Sequence, residues 1–148
     1  MITIGQTTDI DSENIIIAME YVAAINSGDV NKIIGFLTDD NKFIDSQDNE
    51  LSGKENLRQG WDKYFEWFPD YQIEIDRIYK KDNEVALFGY TSGPYKNIRT
   101  ENNENFWRIP TSWIAIIENN KIKKWQVYSD SQIPYEIIKR NKKKYICT

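Results

Sequence analysis

Histidine is missing from this 148-residue chain, and cysteine occurs once, as Cys147. Without histidine there is no Ser-His-Asp or Cys-His pair and none of the usual zinc ligand sets. One cysteine allows no intrachain disulfide and no thiolate cluster. Any general base working near neutral pH has to be a carboxylate. No apolar run approaches the ~20 residues of a membrane-spanning helix. The opening "MITIGQTTDIDSEN" has neither a charged leader nor an apolar core, so the expected location is the cytoplasm. An excess of positive charge is also missing: 19 Lys and Arg against 23 Asp and Glu leave a net charge of −4, and a nucleic-acid contact needs a concentrated basic surface. The one basic run, Lys139 to Lys144, reads as a solvated tail over 139–148.

Aromatic residues are plentiful: five Trp, nine Tyr and six Phe. Rings on that scale fill a core or line a cavity. The length suits one domain, with a core over about 11–138.

Apolar residues at helical spacing (Ile15, Ala18, Met19, Val22, Ile25) predict a first helix, capped by Asp11 or Ser12 and ended by Gly28. Asp29 caps a second over "VNKIIGFL", and "KFID" is a short strand. "SGKENLRQGWDKYFEWFPD" is a third helix, with Ser52 and Glu55 as a capping box and Pro69 as its stop. Leu57, Trp61, Tyr64, Phe65 and Phe68 lie along one side of it. Beyond Pro69 the period becomes two. "YQIEIDRIY", "EVALFGYTSG", "NFWRIPTSWIAII" and "KIKKWQVYS" read as strands, with turns at Asp82-Asn83 and Asn119-Asn120. Pro94 to Glu104 is the longest loop, and a short helix over "IPYEIIKR" follows the last strand. Helices followed by strands predict an α+β fold, a curved antiparallel sheet wrapped around the N-terminal helices with a conical cavity between the layers.

The stretch "YVAAINSGDVNKIIGFLTDDNKFID…LSGKENL", the Phe68-Pro69-Asp70 stop and the closing "NNKIKKWQVYSD" hairpin resemble the nuclear transport factor 2-like superfamily, which includes SnoaL-like and ketosteroid-isomerase-like proteins. The resemblance spans roughly residues 13 to 131. It implies a cone-shaped α+β barrel and a pocket for a small apolar ligand; with no Gly-rich phosphate loop or ligand cluster in the sequence, no metal or cofactor is expected. By position, Tyr21 matches the isomerases' oxyanion-hole tyrosine and Asp45 their general base. Ser112 stands where they carry a second, neutral acid, a departure that weakens the hydrogen-bond donor. The chemistry implied is acid–base isomerisation or cyclisation of an apolar carbonyl compound. A non-catalytic binding or interaction domain is the alternative. Each residue also has a plainer use: Tyr21 as core, Asp45 as the cap of the turn in "DSQDN".

Around the pocket, Trp61 and Phe65 supply a lid or packing. Gly89, Thr91 and Gly93 leave room on one strand face, or accommodate a sheet bend. Arg108 binds a ligand carboxylate or pairs with an acid across the sheet. A two-residue turn at Asn119-Asn120 places Ile114 opposite Trp125 and Ser112 opposite Val127, so the expected cavity face is Ser112, Ile114, Trp125, Val127 and Ser129. The opposite choice puts Trp113, Gln126, Tyr128 and Asp130 inside; a single bulge would also reverse Asp130 relative to Trp125. The other face is expected to join two copies in a C2 dimer through Trp113, Ala115, Ile117 and Tyr128.

Overall fold

The computed structural model describes residues 3–4, 9–97 and 102–146; the side chains of 3–4, 9–12, 97 and 143–146 are outside the description, as is Cys147. Helices α1 (Asp9–Ser27) and α2 (Val30–Gly35) come first, after a short strand β1 (Thr3–Ile4). Next come β2 (Leu37–Ile44), β3 (Glu50–Ser52) and α3 (Lys54–Trp67). The long strands are β4 (Gln72–Lys81), β5 (Glu84–Pro94), β6 (Phe106–Glu118) and β7 (Lys121–Ser129), and α4 (Gln132–Ile146) follows them.

The apolar stripe of α1 is buried as expected: Ile15, Ala18, Val22 and Ile25 face the sheet. Asn26 fastens its end to β4 with a reciprocal pair, Nδ2 donating to the Ile73 carbonyl at 3.0 Å and Oδ1 accepting from the Ile73 N–H at 2.7 Å. Gly28 (φ +71°) ends α1, and the Asp29 side chain caps α2 by accepting from the Lys32 N–H at 3.3 Å. The Ser52–Glu55 capping box does not form. Ser52 is drawn into β3, and Gly53 (φ +86°) precedes the helix without a side-chain cap.

Seven strands form one sheet in the order β1-β4-β5-β6-β7-β2-β3. The α+β fold is as expected, and β4 to β7 are antiparallel throughout. The sheet is mixed because β2 runs parallel to β7 and β1 parallel to β4. Both tight turns are where the sequence puts them, with Asp82, Asn119 and Asn120 all at positive φ.

Two of the sheet's irregularities decide which side chains face inward. In β4 the pairing slips between Ile75 and Arg77, opposite Gly89. A Cβ on Gly89 would lie 1.7 Å from the Glu74 carbonyl oxygen, so glycine is required where the two backbones close up. In β7 the register slips at Lys123: Glu118 pairs with Lys121 and Ile117 with Ile122, but Ile116 pairs with Lys124. Beyond the slip Trp125 faces Ala115 and Val127 faces Trp113. The inner face of β6 is therefore Thr111, Trp113, Ala115 and Ile117, all buried, and not Ser112 and Ile114.

This corrects the expected dimer surface as well. Trp113, Ala115 and Ile117 are core residues, and of the four expected there only Tyr128 lies on the outer face. The segment read as a basic tail continues α4 to Ile146.

Candidate functional site

Between α3, α4 and the concave side of the sheet lies a cavity of about 290 Å³. Each bordering element contributes for a local reason. Helix α3 turns Leu57, Trp61, Tyr64 and Phe68 inward at spacings of three and four residues, and Gly60 leaves room between turns. The alternation of β5, β6 and β7 brings in Thr91, Trp107, Ile109, Val127 and Ser129. The turn after β2 supplies Asp45 and Ser46, and α4 supplies Pro134, Tyr135 and Ile138. Leu51 and Tyr135, 41% and 36% exposed, mark the mouth.

The walls are aromatic. The Trp61 ring lies 5.9 Å from Phe43, 6.1 Å from Tyr64 and 6.3 Å from Tyr71, and it stacks on Phe65 at 5.4 Å. Tyr71 continues the series to Trp107 at 6.0 Å. Polar groups are sparse and placed at two depths. Inside, the Thr91 and Thr111 hydroxyls share a 2.9 Å hydrogen bond, and the Tyr71 hydroxyl lies beside Thr91. Burial pushes the Tyr71 phenol upward and outweighs the Thr91 contact. Burial also drives Tyr64 well above the ordinary tyrosine value, with Tyr71 and Tyr135 adding to the shift. Both phenols therefore stay protonated and can donate hydrogen bonds. At the mouth, Tyr135 is raised by partial burial and then by the Asp45 carboxylate.

Asp45 is half-buried, and its turn uses most of its hydrogen-bonding capacity. Oδ1 accepts from the backbone N–H groups of Gln47 and Asn49, both at 2.9 Å, and Oδ2 accepts from the Asn49 side chain at 3.2 Å. With two lone pairs per oxygen, only one position, on Oδ2, stays open. Asp45 thus serves the turn that was its plainer reading, while still lining the cavity.

The other residues expected at the site divide. Trp61, Thr91 and Val127 line the cavity; Phe65 stands behind Trp61. Trp125 forms the layer beneath, 4.9 Å from Tyr21 and 6.2 Å from Trp113. Tyr21 is fully buried and does not line the cavity. Its hydroxyl makes no well-formed hydrogen bond; the neighbouring Trp61 indole only partly offsets the burial that raises its pKa. Gly89 and Ser112 border a shallow outer groove, Ile114 is on the outer face, and Asp130 lies in a groove beside α4, accepting from the Gln132 N–H at 3.1 Å. The structure does not bring Tyr21, Asp45 and Ser112 together. Arg108 pairs with Glu74 at 3.0 Å over the Tyr90 ring, as one of its two readings held.

Tyr64, Tyr71, Trp107 and Tyr135 also line the cavity, although the sequence pattern alone does not single them out as site residues. Tyr64 was legible as part of the α3 stripe; Tyr135 and Ile138 show the same helical spacing in α4. Among the described residues no group of three His, Cys, Asp or Glu side chains is placed to hold a metal ion, and no helix is long and apolar enough to cross a membrane.

Comparison with known proteins agrees with this fold. The family model of the SnoaL-like domain matches residues 18–125, and the chain belongs to that family. No curated protein matches the chain. Among solved structures, a candidate SnoaL-like polyketide cyclase from Jannaschia sp. CCS1 superposes with a TM-score of 0.72 at 11% identity, over 88% of this chain and 97% of that one. A protein with a ketosteroid isomerase-like fold from Catenulispora acidiphila, solved with trimethylamine, gives 0.67 at 16% identity, over 76% and 83%. A cystatin-fold protein from Novosphingobium aromaticivorans gives 0.66 at 21% identity, over 77% and 96%. The nuclear transport factor 2-like resemblance therefore holds at the level of family and fold.

Proposed function

We propose that the chain binds a compact, ring-bearing, mainly apolar small molecule in this cavity. One observation carries the reading: a void of about 290 Å³ is walled by Trp, Tyr and Phe side chains and bordered by a single acidic residue, Asp45. That volume is at the low end of ligand pockets, roughly 300–1,000 Å³, and suits one or two rings better than four fused ones. Thr91 and Tyr71 can meet a polar substituent of the guest at depth, and the aromatic walls, Trp107 among them, flank its flat part. No cofactor is required.

A second reading is favoured by the open lone pair on Asp45 Oδ2. There Asp45 takes a proton next to a ligand carbonyl, and a phenol, Tyr64 or Tyr135, donates to the developing oxyanion in place of Tyr21. Similarity to a candidate polyketide cyclase supports this class of chemistry.

Titrating one- and two-ring aromatic compounds while following tryptophan fluorescence tests the first reading. Saturable binding that Trp107→Leu weakens at least tenfold is expected, and no binding to any member up to its solubility limit overturns it. Incubating bound enolisable ketones in D2O tests the second. Deuterium entering the α-carbon faster than in buffer, and lost in Asp45→Asn, is expected; exchange at the buffer rate excludes Asp45 as a base.

The outer face of the sheet is proposed to join two copies. Phe88, Tyr90, Ile114 and Ile116 alternate with the core residues of β5 and β6 and stay half-buried, while Tyr79 and Tyr128 are 45% and 48% exposed.

A further inference from the structure

Filling the cavity removes water from its mouth, and the mouth holds a charge. Among the described residues Asp45 is the one charged side chain that lines the cavity; no lysine or arginine does. A neutral guest would cover the carboxylate without compensating it, and an anion would add repulsion. Either outcome costs free energy in a water-poor site. Nor can Asp45 offer much hydrogen bonding, since its turn takes three of the four lone-pair positions. What it offers is its field. Tyr135 lines the same mouth, and behind it Tyr64, Tyr71 and Trp107 form a series of ring contacts at 5.1 and 6.0 Å whose faces carry negative charge density.

We infer that the guest is an organic cation, a substituted ammonium attached to an apolar ring, with the ammonium between Asp45 and the faces of Tyr135, Tyr64 and Trp61. The inference rests on the small-molecule reading above and names the chemical class of its ligand. An alkylated ammonium fits because it has few or no N–H groups to satisfy; charge and ring faces suffice to hold it. The same kind of contact is already made at the cavity wall, where the ammonium groups of Lys63 and Lys142 lie 5.3 Å from the centroid of Trp67, a lining residue. At the mouth, the groove beside α4 that shares Tyr135 with the cavity holds one lysine, Lys139, and two carboxylates, Asp130 and Glu136.

Three probes of matched shape decide the matter: phenyltrimethylammonium, its neutral isostere tert-butylbenzene, and benzoate. Binding to the full chain is followed by tryptophan fluorescence at low salt. The cation is expected to bind at least about tenfold more tightly than the isostere, with benzoate weakest. Asp45→Asn keeps an oxygen for the turn and should remove most of that preference. Tyr64→Phe should keep the preference and Tyr64→Leu reduce it, because the ring and not the hydroxyl meets the charge. An isostere that binds as tightly as the cation overturns the inference and leaves the small-molecule reading standing. Binding by none of the three removes the pocket reading itself. A preference undiminished in Asp45→Asn, or lost equally in both Tyr64 variants, overturns the assignment of these groups.

Discussion

The Ser46 hydroxyl donates a 2.8 Å hydrogen bond to the Ser131 hydroxyl, joining residues 85 positions apart. It ties the turn after β2 to the start of α4, both of which border the cavity. At the other end, Asn141 Nδ2 donates to Asn105 Oδ1 at 2.9 Å and Arg140 to the Glu104 carbonyl at 2.6 Å. Ser131→Ala should cost about 0.5–1.5 kcal/mol. Asn141→Ala, which removes a buried amide, should cost about 1–3 kcal/mol. Urea denaturation measures both; an Asn141→Ala loss below that of Ser131→Ala would contradict the ranking.

Tyr21→Phe separates two accounts of Tyr21. Its hydroxyl is buried without a well-formed partner and lies off the cavity. Removing it should leave stability unchanged or raise it by up to about 1 kcal/mol, with ligand affinity within twofold of the parent. An oxyanion donor would show the reverse, a large loss of turnover or affinity.

Gly89→Ala should be severely destabilising. The added methyl meets the Glu74 carbonyl oxygen, a backbone atom that cannot swing aside. A loss of about 3 kcal/mol or more is expected from overpacking with strand displacement. A melting temperature within two degrees of the parent would show that β4 yields easily.

Stability should fall in alkali. Burial raises the Tyr21, Tyr64 and Tyr71 phenols above the ordinary tyrosine value of 10.0. Below that value both folded and unfolded chains hold these protons, and the contribution is intact. Above it the unfolded chain releases protons that the folded chain keeps, so stability declines by up to about 1.4 kcal/mol per pH unit per tyrosine. Denaturation between pH 8 and 11 should show the decline starting near pH 10, with a shallower slope in Tyr21→Phe. An identical slope in that variant would remove Tyr21 from the account.

The outer sheet face predicts a dimer at micromolar concentration by sedimentation velocity, and Tyr128→Glu should shift it to monomer. A parent chain that sediments as a monomer sinks this proposal.

Much of the fold is legible because period and turn chemistry are local. The α1 stripe, Asp29 as a cap and the Asn119-Asn120 turn are each decided by a few neighbouring residues. The face of β6 was not legible. Lys123 and Lys124 are both polar, so the alternation of β7 reads equally well with or without an extra residue between Ile122 and Trp125. The inward set Trp125, Val127 and Ser129 holds either way, but the facing strand moves by one, from Ser112 and Ile114 to Trp113 and Ala115. Asp45 failed differently. Its sequence context supports a base and a turn cap alike, and only the positions of Gln47 and Asn49 show how many of its lone pairs are taken. Tyr21 is shut off from the cavity in the buried core, with the Trp125 ring 4.9 Å from its own and the Trp61 indole beside its hydroxyl.

The extra residue at Lys123 also limits what can be borrowed from kin. Two chains of this family with hairpins of equal length can differ in whether they carry such an insertion in the strand. Transferring a functional position from one to the other by counting back from the turn then exchanges an interior side chain for one on the exterior. Correspondence across this hairpin has to be established by superposing the strands in space.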